Sequence, residues 1–171
     1  VKKSVFIFLI GLFVPFIAGY LFLQLGGMPV ATQGPPLPFE GSIARIALHA
    51  AMKNQTDLKP PVEADDANLI AGAKIYVTNC AVCHGLPEGR PTAIAKGLFP
   101  KPPQLFASDE GVTDDPPGKI YWKVKNGIRL TGMPGFVGEL SNVELWQVSL
   151  LLLNADKLSE PVKQTLRAET H

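Results

Sequence analysis

The chain has 171 residues, 16 basic and 15 acidic side chains, three histidines and two cysteines. A net charge of +1 with no clustered basic stripe excludes a nucleic-acid footprint. Without Lys2 and Lys3, 14 basic residues stand against 15 acidic ones, so the remainder is nearly neutral.

The first element is an uncharged apolar run from Val5 to Leu25, preceded by Lys2 and Lys3. About 21 residues at ~1.5 Å rise cover ~31 Å, the thickness of a bilayer's hydrocarbon core. A cleaved signal peptide has an apolar core of about 7–15 residues and a small-residue cleavage site. This run is longer, and Gly26 to Ala31 offers no A-x-A pattern. Residues 1–25 are therefore expected to form a single retained transmembrane helix. Lys2 and Lys3 then lie in the cytoplasm and the rest of the chain outside it. Pro15, with Gly11 and Gly19 nearby, reads first as a mild kink and second as a surface for a neighbouring helix.

Residues 26–64 read as a linker. Gly26 to Phe39 carries no charge and contains Pro29, Pro35, Pro36 and Pro38. Fully extended, ~14 residues at ~3.1 Å each reach ~43 Å. A short helix over about 42–53 follows, with Ser42 as its cap and Ile43, Ile46, Leu48 and Ala50 as its apolar positions. Lys59-Pro60-Pro61-Val62 connects it to the next unit.

Residues 65–156 carry helical spacing almost throughout. Asp65 or Asp66 caps a helix with Leu69, Ala73, Tyr76, Val77 and Cys80 on one face. Gly72 inside it costs about 1 kcal/mol relative to alanine, so a close helix crossing is expected there. The helix runs into Cys80-Ala81-Val82-Cys83-His84, a C-x-x-C-H run that reads as a c-type haem attachment site. Two thiols on one helical turn add to the two vinyl groups of a porphyrin, and the next imidazole reaches the iron. Structural zinc needs four ligands, and His49 and His171, the other histidines, stand at unsuitable spacings. A thioredoxin-type redox pair belongs beside a βαβ pattern, and this chain has almost no period-2 alternation. One covalent haem c is expected, and with both cysteines committed to it no disulfide stabilises the domain.

Further on, Asp115-Pro116-Pro117 opens a helix from Gly118 to Lys125 that Asn126-Gly127 stops. Ser141-Asn142-Val143-Glu144 is a capping box. It opens a helix through Leu145, Trp146, Val148, Ser149 and Leu152 that ends near Asn154. Residues 157–171 remain as a tail.

Over residues 65–156 the chain resembles the class I cytochrome c family. The attachment motif directly follows the first helix. Gly72 and Tyr76 resemble the glycine and aromatic of the family's N-terminal helix, and Trp146 resembles the aromatic of the C-terminal helix that crosses it. Lys125-Asn126-Gly127-Ile128 followed by Thr131-Gly132-Met133-Pro134-Gly135-Phe136 is similar to the distal ligand loop. The resemblance implies an all-α fold of about three to five short helices around one covalent haem, here preceded by the transmembrane helix.

It also implies site roles. Cys80 and Cys83 attach the haem, His84 is the proximal ligand and Met133 the distal one; a methionine ligand favours reduced iron and raises the potential. His49 is the alternative distal ligand. A proline carbonyl, Pro102 or Pro103, accepts the other ring N–H of His84. Tyr121, Trp122 and Arg129 are candidates for the haem propionates. Phe99, Leu105, Ile128 and Phe136 wall the haem. Lys96, Lys101, Lys119, Lys123, Lys125 and Arg129 read as a solvated face before a docking ring, because Glu88, Asp109, Glu110, Asp114 and Asp115 are interspersed.

The implied function is single-electron transfer by a membrane-anchored monohaem protein rather than an enzyme. Its haem domain would lie on the periplasmic face of a bacterial cell membrane. The implied partners are an integral-membrane redox complex (a terminal oxidase, quinol-oxidising complex, reaction centre or dehydrogenase) and soluble redox carriers, with no nucleic acid and no small-molecule substrate. The competing class is a haem c enzyme or gas sensor with a displaceable distal ligand, against which Met133 counts.

Overall fold

Capping residues and proline placement punctuate the chain into helices. The computed structural model describes residues 2–107 and 109–168, without the side chains of Lys2, Ser4, Val5, Phe6 and Leu9. Among the described residues there is no strand. The α-helices are α1 (Lys2–Gln24), α2 (Glu40–Ala51), α3 (Asp66–Asn79), α4 (Ala81–His84), α5 (Ala93–Gly97), α6 (Pro117–Asn126), α7 (Asn142–Leu153) and α8 (Glu160–Ala168). A 3-10 turn covers Lys53–Gln55. The chain forms two units, Val1–Ile43 and Ala44–His171, and the division falls inside α2.

In the first unit, α1 contains Pro15, and a Cβ at Gly11 or Gly19 would meet open space. Its described apolar side chains, Phe16 and Tyr20 among them, are exposed. The expected membrane-spanning run is helical over α1. Among the described residues, however, no helix is long and apolar enough to cross a membrane. The side chains of Val5, Phe6 and Leu9, which that expectation counts, lie outside the described residues. The helix expected from Ser42 starts two residues earlier. Glu40, not Ser42, closes its entry, because the Leu37 N–H donates to Glu40 Oε2 at 2.8 Å.

The second unit is built on a crossing of α3 and α7. Asp65 caps α3 by accepting the Asn68 N–H at 2.8 Å. Ser141 and Glu144 form both halves of the capping box on α7. The helices meet at Gly72, where a Cβ would run into the Gln147 carbonyl and approach the Val148 nitrogen at 3.1 Å. Glycine accepts its helix-propensity cost so that two backbones can touch. Gln147 Nε2 donates to Asn68 Oδ1 at 2.9 Å across the same contact. Around it Leu69, Ala73, Tyr76, Trp146, Val148 and Leu151 are buried. Tyr121 on α6 stacks on Trp146 with ring centroids 4.3 Å apart.

Two further segments join this core. Residues 160–168, within the stretch expected as a tail, form α8. It packs on α3, with Leu158, Val162 and Leu166 buried. Upstream of α3, Met52 is buried and the 3-10 turn after it rests on α6. Its seat is Gly118, where a Cβ would overlap the Gln55 carbonyl and come within 2.8 Å of Leu58 Cβ.

Candidate metal centre

The end of α3, the short α4, the proline-rich segment after α5, the end of α6 and the loop after it enclose one apolar cleft. It holds about 800 Å3 of non-atom space, its open mouth included. Cys80, Cys83, His84, Pro102, Pro103, Ile128 and Met133 all line it. So do Leu105 and Phe136, with Val124 and Leu152 from α6 and α7.

A four-residue helix cannot satisfy its own last carbonyls, and α4 relies on the surrounding chain for this. The Val82 carbonyl accepts the Thr92 hydroxyl at 2.6 Å. The Cys83 carbonyl accepts Gln104 Nε2 at 3.2 Å, and that of His84 accepts the Leu105 N–H at 3.2 Å. The Gly85 carbonyl accepts the Tyr76 hydroxyl at 2.7 Å. Successive carbonyls are thus held from three separate segments, and the motif cannot rotate as a unit. Gly85, at φ +73°, ends the turn.

His84 Nδ1 lies 2.8 Å from the Pro103 carbonyl oxygen. A carbonyl only accepts, so Nδ1 carries the hydrogen and the Nε2 lone pair is free for a metal. Burial holds the imidazole pKa below its ordinary value, opposed by the bond to Pro103. Neutral imidazole, the ligating form, is therefore favoured. Burial and the neighbouring Cys83 push the Cys80 thiol up to about 12. Burial also pushes the Tyr76 hydroxyl well above its ordinary value, with Cys80 adding to the shift, so it remains a donor.

Met133 is placed by backbone pairing between the end of α6 and the following loop. Gly127 leaves the helix at φ +66°, and a Cβ there would lie 2.7 Å from the Met133 carbonyl and 2.5 Å from the Gly135 nitrogen. The Ile128 N–H donates to the Met133 carbonyl at 3.2 Å, and the Phe136 N–H to Val124 at 3.2 Å. The Thr131 hydroxyl accepts the Met133 N–H at 3.1 Å.

The three residues expected at the propionates do not line the cleft. Tyr121 is turned into the core, with its hydroxyl donating to Asn142 Oδ1 at 2.7 Å and its ring against Trp146. Trp122 is half-buried and Arg129 exposed, and neither lines the cavity. Phe99 also falls outside the lining, and His49 is exposed on α2. Of the basic residues, Lys123 pairs with Asp115 at 3.0 Å and Lys125 lies over the Tyr121 ring. Sequence reasoning does not single out Gln104, Thr92 or Leu98. For Gln104 the only available signal is its place directly after the Pro-Pro pair.

Two thiols one turn apart, a neutral imidazole with a free lone pair and a thioether share one apolar cleft. This donor set fits a covalently attached iron porphyrin: the thiols suit the vinyl groups, the imidazole and thioether suit the iron, and the walls suit the macrocycle.

Sequence comparisons with known proteins point the same way. A family model described as cytochrome C oxidase, cbb3-type, subunit III matches residues 67–150. Cytochrome c6 of Limnospira maxima is 31% identical over 87 residues, which are 51% of this chain and 92% of that protein. Among solved structures, a chain of the reducing HAO-like protein complex of Kuenenia stuttgartiensis aligns with a TM-score of 0.48 and 27% identity. That alignment covers 58% of this chain and 48% of the other, so this chain spans about half its length.

Proposed function

Because this chain belongs to the monohaem cytochrome c family and carries one covalent haem c, we propose that it is a membrane-anchored single-electron carrier with a His84/Met133 iron site. The observation that carries the site assignment is the convergence of Cys80, Cys83, His84 and Met133 on one apolar cleft. When bound, haem c supplies an iron that cycles between ferrous and ferric states. Cys80 and Cys83 hold the macrocycle through thioether bonds. His84 offers Nε2 while Pro103 retains the Nδ1 proton. Met133 offers an uncharged sulfur, which favours the ferrous state. Leu105, Val124, Ile128, Phe136 and Leu152 exclude water, so little solvent rearranges as the charge changes.

The anchor is supported by the apolar composition of Val5–Leu25 and by the helix over Lys2–Gln24. In this reading Lys2 and Lys3 are cytoplasmic and the haem-bearing unit lies outside the cytoplasm. The name of the matching family model is that of a terminal oxidase subunit. That supports an integral-membrane redox complex, here a terminal oxidase, as partner, with the chain as fixed subunit or tethered carrier.

The oxidised wild-type protein should show a methionine-to-iron charge-transfer band that Met133→Ala abolishes, with a lower reduction potential. A Met133→Ala protein that keeps the band and its potential would sink the ligand assignment. Washing membranes in alkaline carbonate should leave the protein in the pellet, and purification in mild detergent should bring oxidase subunits with it. Release into the wash would remove the anchor from the proposal.

A further inference from the structure

Gln104 follows the proline whose carbonyl faces His84, and its side chain has no role in the iron site as proposed so far. Nε2 lies 3.2 Å from the Cys83 carbonyl and 3.3 Å from the Pro102 carbonyl. Both amide hydrogens are therefore committed, one to each carbonyl. One acceptor belongs to α4, immediately before His84. The other belongs to the proline-rich segment, immediately before Pro103. The amide thus ties together the two segments that carry His84 Nδ1 and its acceptor, which stand 2.8 Å apart.

The other end of the amide is left unmet. Among the described residues, Gln104 Oε1 is buried with no hydrogen-bond partner. It sits against Gly85, where a Cβ would overlap it. A buried acceptor without a partner is a cost, and here it goes with an orientation that points both donors at the two carbonyls. The backbone of Gln104 is fixed as well, its N–H donating to Glu110 Oε2 at 2.5 Å.

We propose that Gln104 is a positioning residue for the proximal imidazole: by bracing the Cys83 and Pro102 carbonyls it sets the His84 Nδ1–Pro103 separation and, through it, how strongly the imidazole donates to iron. The proposal rests on the haem reading of this cleft. A strong Nδ1–H···O bond makes the ring a more basic ligand, which stabilises ferric iron. Loosening the brace weakens that donation and shifts the balance toward ferrous iron.

The test uses the full-length holoprotein and the variant Gln104→Met, which keeps the length of the side chain and removes both donors. Gln147→Met is the control, because Gln147 also donates a half-buried bond between two helices, to Asn68, outside the attachment motif. Gln104→Met should raise the ferrous:ferric ratio at a fixed poise by on the order of threefold to tenfold and speed solvent exchange of the His84 Nδ1 proton, read by NMR. Gln147→Met should lower the urea midpoint while leaving both readouts at wild-type values. If Gln104→Met fails to mature, Gln104→Asn, whose shorter amide reaches one carbonyl at best, should move both readouts in the same direction by less. A Gln104 variant with intact haem c, unchanged potential and unchanged proton exchange overturns the proposal. A wild-type chain that carries no haem overturns the functional reading first and this proposal with it, so the two failures are distinguishable.

Discussion

Gly127 occupies a point where neither the backbone angle nor the space admits a side chain. Its φ of +66° is the left-handed region, and any Cβ there would press on Met133, Pro134 and Gly135 backbone atoms. Those atoms belong to the segment that places Met133, so strain at Gly127 is transmitted to the proposed ligand. At Gly138, further along the same loop, a Cβ would meet nothing within 4 Å, and φ is not positive. Gly127→Ala should therefore destabilise the holoprotein by about 2–3 kcal/mol or more, read from urea unfolding, and weaken the methionine-to-iron band. Gly138→Ala should change stability by less than ~0.5 kcal/mol. Equal effects of the two substitutions would contradict this account of the loop. The two glycines look alike in the sequence, and only the return of the 133–137 backbone against 125–127 separates them.

Among the elements, α7 shows how a local signal and a distant one combine. Its capping box joins Ser141 and Glu144, with the Ser141 N–H donating to Glu144 Oε2 at 2.8 Å. The Ser141 hydroxyl and N–H hold the Glu144 carboxyl below the ordinary carboxylate range. A carboxyl whose pKa is depressed on folding contributes stability above its unfolded pKa and loses it as pH falls through the folded value. Ser141→Ala should thus lower the thermal midpoint at neutral pH, and the gap from wild type should narrow as pH drops below the ordinary glutamate range. A gap that stays constant into acid would assign the cap's effect to the serine alone. The capping residues of α3 and α7 and the proline that opens α6 were legible because each lies within three residues of its helix start. The donors that hold α4 were not, because Tyr76, Thr92, Gln104 and Leu105 reach it across 9 to 21 positions. Tyr121 misled for a related reason: its place beside the ligand loop in sequence does not reveal that its ring stacks on Trp146.

At the scale of the molecule, the haem-bearing unit extends past both ends of the resemblance that first outlined it. Val162 and Leu166 on α8 (Glu160–Ala168) stand four residues apart, with Leu158 four before them, which lines one apolar stripe along the short polar helix and its approach. In the sequence these residues read only as a tail, because the resemblance ends before them and nothing local says what they would cover. The partner of α8 is α3, the helix that leads into the attachment motif. Leu166→Ala should cost about 2–5 kcal/mol in urea unfolding of the holoprotein, and a loss under ~1 kcal/mol would show that α8 is dispensable to the core. At the other end, the seat of Gln55 and Leu58 on Gly118 bears on the proposed anchor. With residues from 44 onward folded into the haem-bearing unit, the slack between the proposed span and the carrier shrinks from ~39 residues to ~18. Treated as a flexible coil of ~5–6 Å × √n, such a tether's root-mean-square reach would fall from ~35 Å to ~23 Å. Local concentration scales as the −3/2 power of tether length, so with the proposed anchor the seated form would meet a neighbour in the same membrane about threefold more often. Gly118→Val, which leaves no room for the Gln55 carbonyl, should lower the rate of haem oxidation in native membranes by about that factor and speed tryptic cleavage after Lys53, whose side chain is already exposed. Unchanged turnover with the connector cleaved would show that encounter does not limit the rate. If turnover does fall, a missing methyl group on α6 sets how tightly the proposed anchor leashes its carrier.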